Sequence, residues 1–364
     1  EPVQWGMKPQ LFVLLLLAAP MRAIGGEGAA APALRAVETP AEAARVRPVE
    51  APKRPALEMA AEKAFDAPFR AALDDVVLPN GLVLDRRSDR DTVSCAATGF
   101  TAYALALMAD RGSADPTEVR AILRSGFRST LAATPERNRG WLYHFTDATG
   151  RPKSWSEVST IDSAIFYLGF LRAAETLEDA ELYSEVRAAV DRVDVEFLLR
   201  DGYFLHGLRW FGNAPHFIPY TWDDTSEGVM LYRLFGLPFE PRVVRHDYPL
   251  FVYYYPLCFF DDPTYAEHLR KAVAYQIEHY GYTGVTAGDG PHGYQAHDPK
   301  LISPLALFAL SGLLPEARAT LTKYGVDHMV PTYHVGSGWM APDRVTIDYA
   351  SAYILMVRPS TVTP

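Results

Sequence analysis

From position 92 to position 358, apolar residues recur at helical spacing over helix-length stretches, and polar loops separate them. Thr92 to Arg111 follows this pattern and stops at Gly112; Asp115-Pro116 then supplies an N-cap and first-turn pair for a second helix reaching about Ala133. Ser159 to Leu177 and Asp179 to Leu199 repeat the helical hairpin, with Gly202 beyond. Further helices are predicted at Ser226–Phe235, Pro263–Tyr280, Pro304–Leu314, Pro315–Tyr324 and Tyr349–Val357. The loops between them are long and aromatic, and Gly140 to Trp155 reads as a hairpin around the turn Asp147-Ala148-Thr149-Gly150. Successive helical hairpins predict an all-α chain of two concentric helix rings, an (α/α)6 toroid with loops and short hairpins gathered at one end. A scaffold of this kind places its chemistry on those loops.

Composition changes the picture at the N-terminus. Lys8, the apolar run Leu11 to Ala19 and the small residue Ala23 have the three-part pattern of a secretory signal, and the run is too short for comfortable membrane spanning. Positions 1–23 are therefore expected to be a signal region, leading to a periplasmic or secreted protein without a stable membrane anchor. Ile24 to about Leu73 is Ala-, Pro-, Glu- and Arg-rich and is expected to be a disordered or loosely helical linker. Residues 74–358 form one body, followed by a tail at 359–364. The net charge of -9, without a Lys/Arg-rich run, argues against nucleic acid and is compatible with a neutral polymer. Cys95 and Cys258 are the only cysteines and are expected to be free buried thiols, and a monomer is expected. The histidines lack ligand spacing, so neither a metal nor another cofactor is expected.

Three junctions place carboxylates beside aromatic residues. In Trp155-Ser156-Glu157-Val158-Ser159-Thr160-Ile161-Asp162, Glu157 precedes a helix and Asp162 falls in its first turns, capped by Ser159 or Thr160. The nearby Trp141-Leu142-Tyr143-His144-Phe145 offers Trp141 and His144 as a sugar-binding wall. The second, Tyr220-Thr221-Trp222-Asp223-Asp224-Thr225-Ser226-Glu227-Gly228, sets three carboxylates within five positions next to Tyr220 and Trp222. Glu227, one position inside the predicted helix, is the carboxyl expected to be desolvated and protonated near neutral pH, as a general acid must be. In the third, Thr286-Ala287-Gly288-Asp289-Gly290-Pro291-His292-Gly293-Tyr294, an unusual loop presents Asp289 and His292. Asp348, alone at the start of the last helix, reads most simply as an N-cap. At each junction a plain capping cluster or tight turn is the alternative.

Neither a G-x-S-x-G elbow nor a phosphate-loop lysine occurs. Paired carboxylates with aromatic walls point to glycosidic bonds.

Taken in order, these motifs resemble the glycoamylase-like domain family, which includes bacterial endo-β-1,2-glucanases and a domain of cyclic β-1,2-glucan synthases. The resemblance runs from Gly81 to about Met356 and is carried by Ser94-Cys95-Ala96-Ala97-Thr98-Gly99-Phe100, Gly140 to Phe145, Glu157 to Asp162, Trp222 with Ser226-Glu227-Gly228, Pro249-Leu250-Phe251, Gly284 to Tyr294, and Ile347-Asp348. It implies a toroid, an oligo- or polysaccharide substrate and an inverting glycoside hydrolase. It further implies that Glu227, Glu157 and Asp162 line the catalytic pocket while His144, Trp222, Asp289, Tyr294 and Asp348 contact sugar. The chain departs from the family pattern at Thr225, where a Tyr is usual, and at Tyr349-Ala350, where Gln-Gly is usual. A non-catalytic carbohydrate-binding or polysaccharide-export accessory protein on the same toroid is the reading from another class. A lyase or epimerase would need basic residues that the motif loops lack.

Overall fold

A computed structural model describes residues 56–238, 244–296, 298–343 and 345–358; the expected signal region, most of the linker and the tail lie outside them. The described residues form eleven helices: α1 (Ala56–Asp74), α2 (Cys95–Asp110), α3 (Pro116–Ala133), α4 (Thr160–Thr176), α5 (Ala180–Val190), α6 (Val229–Leu234), α7 (Phe251–Phe259), α8 (Pro263–Tyr280), α9 (Pro304–Leu310), α10 (Pro315–Tyr324) and α11 (Thr346–Val357).

Two kinds of helix alternate. Helices α2 and α4 are apolar on every side and buried almost throughout, as a helix surrounded by others must be. Helices α6, α7, α9 and α11 are likewise mostly buried. By contrast α3 turns only Val119, Leu123, Gly126 and Phe127 inward, and α5, α8 and α10 are similarly one-sided. Each one-sided helix packs on a buried neighbour: α3 on α2, α5 on α4, α8 on α7, α10 on α9. The closest approach is between α2 and α4, where a Cβ on Gly169 would stand 2.0 Å from the Gly99 carbonyl oxygen, so both helices need glycine at the crossing.

The helix starts follow the predicted capping chemistry. Asp115, Asp262 and Ser303 cap α3, α8 and α9, each with Pro next in sequence. Ser94 and Ser159 cap the two most buried helices. Both cysteines are free and buried.

Several expectations change. The stretch expected to end a linker is helix α1; its Phe69 and Leu73 are each 1% exposed, and the Phe69 ring meets Tyr349 and Tyr353 of α11. The folded body therefore begins before residue 74, because apolar side chains were hidden among Ala and Glu. The predicted helix Asp179–Leu199 ends at Val190; Asp194 then caps a short 3-10 turn, Val195–Leu198. The turn Asp147–Gly150 forms, but Phe145–Thr146 pairs with Val93–Ser94, so 140–155 is not a simple hairpin. Nor is the chain purely helical: Tyr203–Phe211 and Ala214–Thr221 form a long antiparallel hairpin that also pairs with Val158–Ser159 and Leu199–Arg200.

Candidate active site

The starts of α2, α4 and α11 are laced together by backbone hydrogen bonds. Cys95 N–H donates to the His144 carbonyl and His144 N–H to the Glu157 carbonyl, while Thr346 N–H donates to the Asp85 carbonyl and Asp85 N–H to the Thr92 carbonyl. The long hairpin is tied on by Thr160, whose hydroxyl donates to the Leu205 carbonyl and accepts from Trp222 Nε1 at 2.9 Å. These ties deliver the first two junctions and residues 85–86 to one place.

At its base lies Glu157, 1% exposed. His144 Nδ1 sits 3.0 Å from its Oε1, His206 Nε2 is 3.9 Å away, and Arg209 Nη2 is 4.0 Å from Oε2. Burial alone would neutralise this carboxyl, yet His144 and His206 hold it well below the usual carboxylate range. Glu157, expected to be catalytic, is thus paired with a cluster of basic side chains. Burial likewise opposes the His144 cation, but Asp162 and Glu157 together push its pKa up to about 9. His144 therefore stands as an imidazolium between two carboxylates, 3.6 Å from Asp162 Oδ2.

Asp162 lies in the first turn of α4, where Ser159 Oγ donates to its Oδ2 at 2.5 Å and accepts from its backbone N–H. Glu227 faces the charge of Asp162. It sits in the turn just before α6, not inside the helix as predicted, because Gly228 and Val229 close that turn. Its carboxyl has no hydrogen-bond partner among the described residues, and desolvation, helped by Asp162, pushes its pKa up to about 8.

A second group lies beside the first. Arg86 bridges Asp289, 2.6 Å from its Oδ2, and Asp85, 3.1 Å from its Oδ2. Burial, then Asp85 and Asp289, push the pKa of Asp348 up to about 7. Asp348 is thus no N-cap: Val345 holds that position and Asp348 lies in the first turn. Tyr294, a residue 36% exposed on the hairpin Gly288–Gly290/Gly293–Gln295, borders the group. The negative charge of Asp85 also acts on His144, which links the two groups.

Other predicted contacts fall elsewhere. Trp141 is fully buried, with Nε1 donating to the Asp194 carbonyl and its ring against Phe204 and Phe235, so it packs the core and offers no sugar wall. Trp222 and Tyr220 flank the His206 ring at 5.2 and 4.7 Å, supporting the base of the site. Asp223 accepts the Thr221 hydroxyl two residues before it, and Asp224 accepts from Tyr248 Oη at 2.9 Å, which ties its loop to the segment before α7. His292 is exposed at a hairpin turn.

Asp85, Arg86, His206 and Arg209 were missing from the sequence reading. The run 85–91 alternates acids and arginines like a solvated loop, and nothing local marks Asp85 and Arg86. The hairpin did leave a signal: two aromatic-rich runs separated by Gly212-Asn213.

No protein-family model matches the chain, and no curated protein does. Solved structures do match in fold. An endo-β-1,2-glucanase from Chitinophaga pinensis, seen with sophorotriose and glucose, superposes with a TM-score of 0.63 at 15% identity, over 82% of this chain and 92% of that one. The chain has the fold of this glucanase. A β-1,2-glucanase from Parabacteroides distasonis gives 0.66 at 16% identity, over 80% of this chain but only 55% of that longer one. A candidate glucoamylase from Bacteroides uniformis gives 0.64 at 18% identity, over 82% and 90%. With the glucanase fold in place, the carboxylates described above lie among the loops at the helix starts.

Proposed function

We propose that the chain is an exported glycoside hydrolase that cleaves a β-glucan, β-1,2-linked and at internal bonds, with inversion. The observation that carries this reading is the pair Glu227 and Asp162: one carboxyl kept protonated near neutral pH by desolvation, the other a carboxylate held by Ser159 and His144. Glu227 protonates the leaving oxygen and Asp162 activates the water. Inversion needs the two groups about 6.5 to 9.5 Å apart, leaving room for that water. Glu157 acts one step back, fixing His144 and through it Asp162. Tyr294, with Asp289 and Asp348, offers a ring face and hydrogen-bonding groups of the kind that hold a neutral sugar.

The alternation of buried and one-sided helices supports the (α/α)6 toroid as the finer description. Among the described residues it breaks once, where buried α6 is followed by buried α7. Export through the Lys8 to Ala23 segment belongs to the same proposal.

The test is incubation of the purified chain with β-1,2-glucan and a panel of other glucans, following reducing ends and the anomer first released by NMR. Release of the α-anomer from β-1,2-glucan supports the proposal. Binding without release favours the accessory-protein reading, and release of the β-anomer removes the inverting mechanism.

A further inference from the structure

The carboxyl of Glu227 has no hydrogen-bond partner among the described residues, so its direction is set by the backbone of its own turn. Three of the contacts that hold that turn involve the residues on either side of Glu227. Thr225 Oγ1 accepts from Gly228 N–H at 3.1 Å. Gly228 lies against the Trp222 carbonyl so closely that an added Cβ would stand 2.2 Å from its oxygen. The third point is Ser226, 1% exposed, whose Oγ lies 2.6 Å from His268 Nδ1. The first two ties are local to residues 222–228. The third reaches to α8, a separate helix.

We propose that His268 is a positioning residue for the acid: through Ser226 it ties the Glu227 turn to α8 and sets the direction of the Glu227 carboxyl. The inference rests on the reading of Glu227 as general acid. The imidazole suits the task, because burial, then His246 and Lys271, hold it neutral. A neutral ring makes the bond without setting a cation beside a carboxyl that must keep its proton. The contact is also specific in shape. Asn in place of His268 can set an oxygen near the position of Nδ1, whereas Leu fills the space and leaves the Ser226 hydroxyl unpaired in a buried site.

The experiment combines two readouts on His268→Leu, His268→Asn, Ser226→Ala and the Ser226→Ala/His268→Leu double variant. The first is amide hydrogen exchange at Gly228, Val229 and Met230, which needs no substrate. The second is kcat and KM on β-1,2-glucan, with Glu227→Gln as the inactive reference. His268→Leu is expected to speed exchange at those amides and to lower kcat about ten- to hundred-fold with KM unchanged, as for a misdirected catalytic group. His268→Asn is expected to recover most of both, and the double variant to be no worse than the poorer single one. Unchanged exchange and kcat in His268→Leu would overturn the proposal. So would kcat and KM deteriorating together without rescue by Asn, which marks a merely structural residue. If the wild-type chain cleaves no glucan, the hydrolase reading fails and acid positioning fails with it. The exchange readout still separates that outcome from an absent Ser226–His268 tie.

Discussion

His144 Nδ1 lies 3.0 Å from Glu157 Oε1 and 3.6 Å from Asp162 Oδ2, so one imidazolium serves two carboxylates at the start of a single helix. Its pKa of about 9 exceeds the ordinary 6.5, so the fold binds this proton more tightly than the unfolded chain does. The resulting stability is fully present below about pH 6.5 and is lost as pH rises through about 9. His144→Gln should therefore lower the melting temperature more at about pH 6 than at about pH 10. An equal loss at both would show that the ring is not a structural cation.

Glu227 contributes a slope of the same direction by a different route. Its pKa of about 8 against an ordinary 4.5 means that the fold favours the neutral acid. Stability falls as pH rises from about 4.5 to about 8 and levels off above. Glu227→Gln keeps an uncharged group there, so it should melt higher than the wild type at about pH 9 and close to it at about pH 4. Thermal melts at the two values check this.

Helix α1 is expected to be part of the folding unit. Phe69 is 1% exposed and its ring centroid lies 5.4 Å from that of Tyr353. Phe69→Ala should cost about 3 to 5 kcal/mol in denaturant unfolding, the usual loss for a large buried aromatic. A loss below about 1 kcal/mol would return α1 to the linker.

Trp141 separates core from site. Trp141→Phe removes the Nε1 hydrogen bond to the Asp194 carbonyl and should lower stability by about 1 to 3 kcal/mol. Oligosaccharide affinity, measured by calorimetry, should stay at the wild-type value. A weakened affinity at unchanged stability would restore the sugar-wall role.

The legible parts of the chain were those with local chemistry. Asp115-Pro116 and Asp262-Pro263 mark helix starts that the fold adopts, and Ser159 caps the helix carrying Asp162. Glu227 was singled out by its place before a buried stretch, and its desolvation follows from that place. What was not legible depends on contacts distant in sequence. Arg86 meets Asp289 across 203 positions, and nothing near either residue signals the other. Glu157 looked like a base because sequence shows its acidity but not the His206 and Arg209 that a later hairpin brings against it. Trp141 looked like a sugar platform for the same reason: an aromatic residue beside His144 carries no mark of which way its ring points. The departures at Tyr349-Ala350 also find their account in packing. Tyr349 is 2% exposed, donates to the Met329 carbonyl and meets Phe69, so this chain uses the position to seat α1.

The central claim is that Glu227 is the proton donor, and the pH dependence of β-1,2-glucan cleavage by wild type and Glu227→Gln tests it most directly. The wild type should lose activity as pH rises through about 8, where Glu227 gives up its proton. Glu227→Gln should retain fold and oligosaccharide binding, turn over about 10²- to 10⁴-fold more slowly, and lack that alkaline limb. Near-wild-type turnover with the limb intact in Glu227→Gln, alongside loss of activity in Asp162→Asn, would contradict the assignment and move the acid to the start of α4.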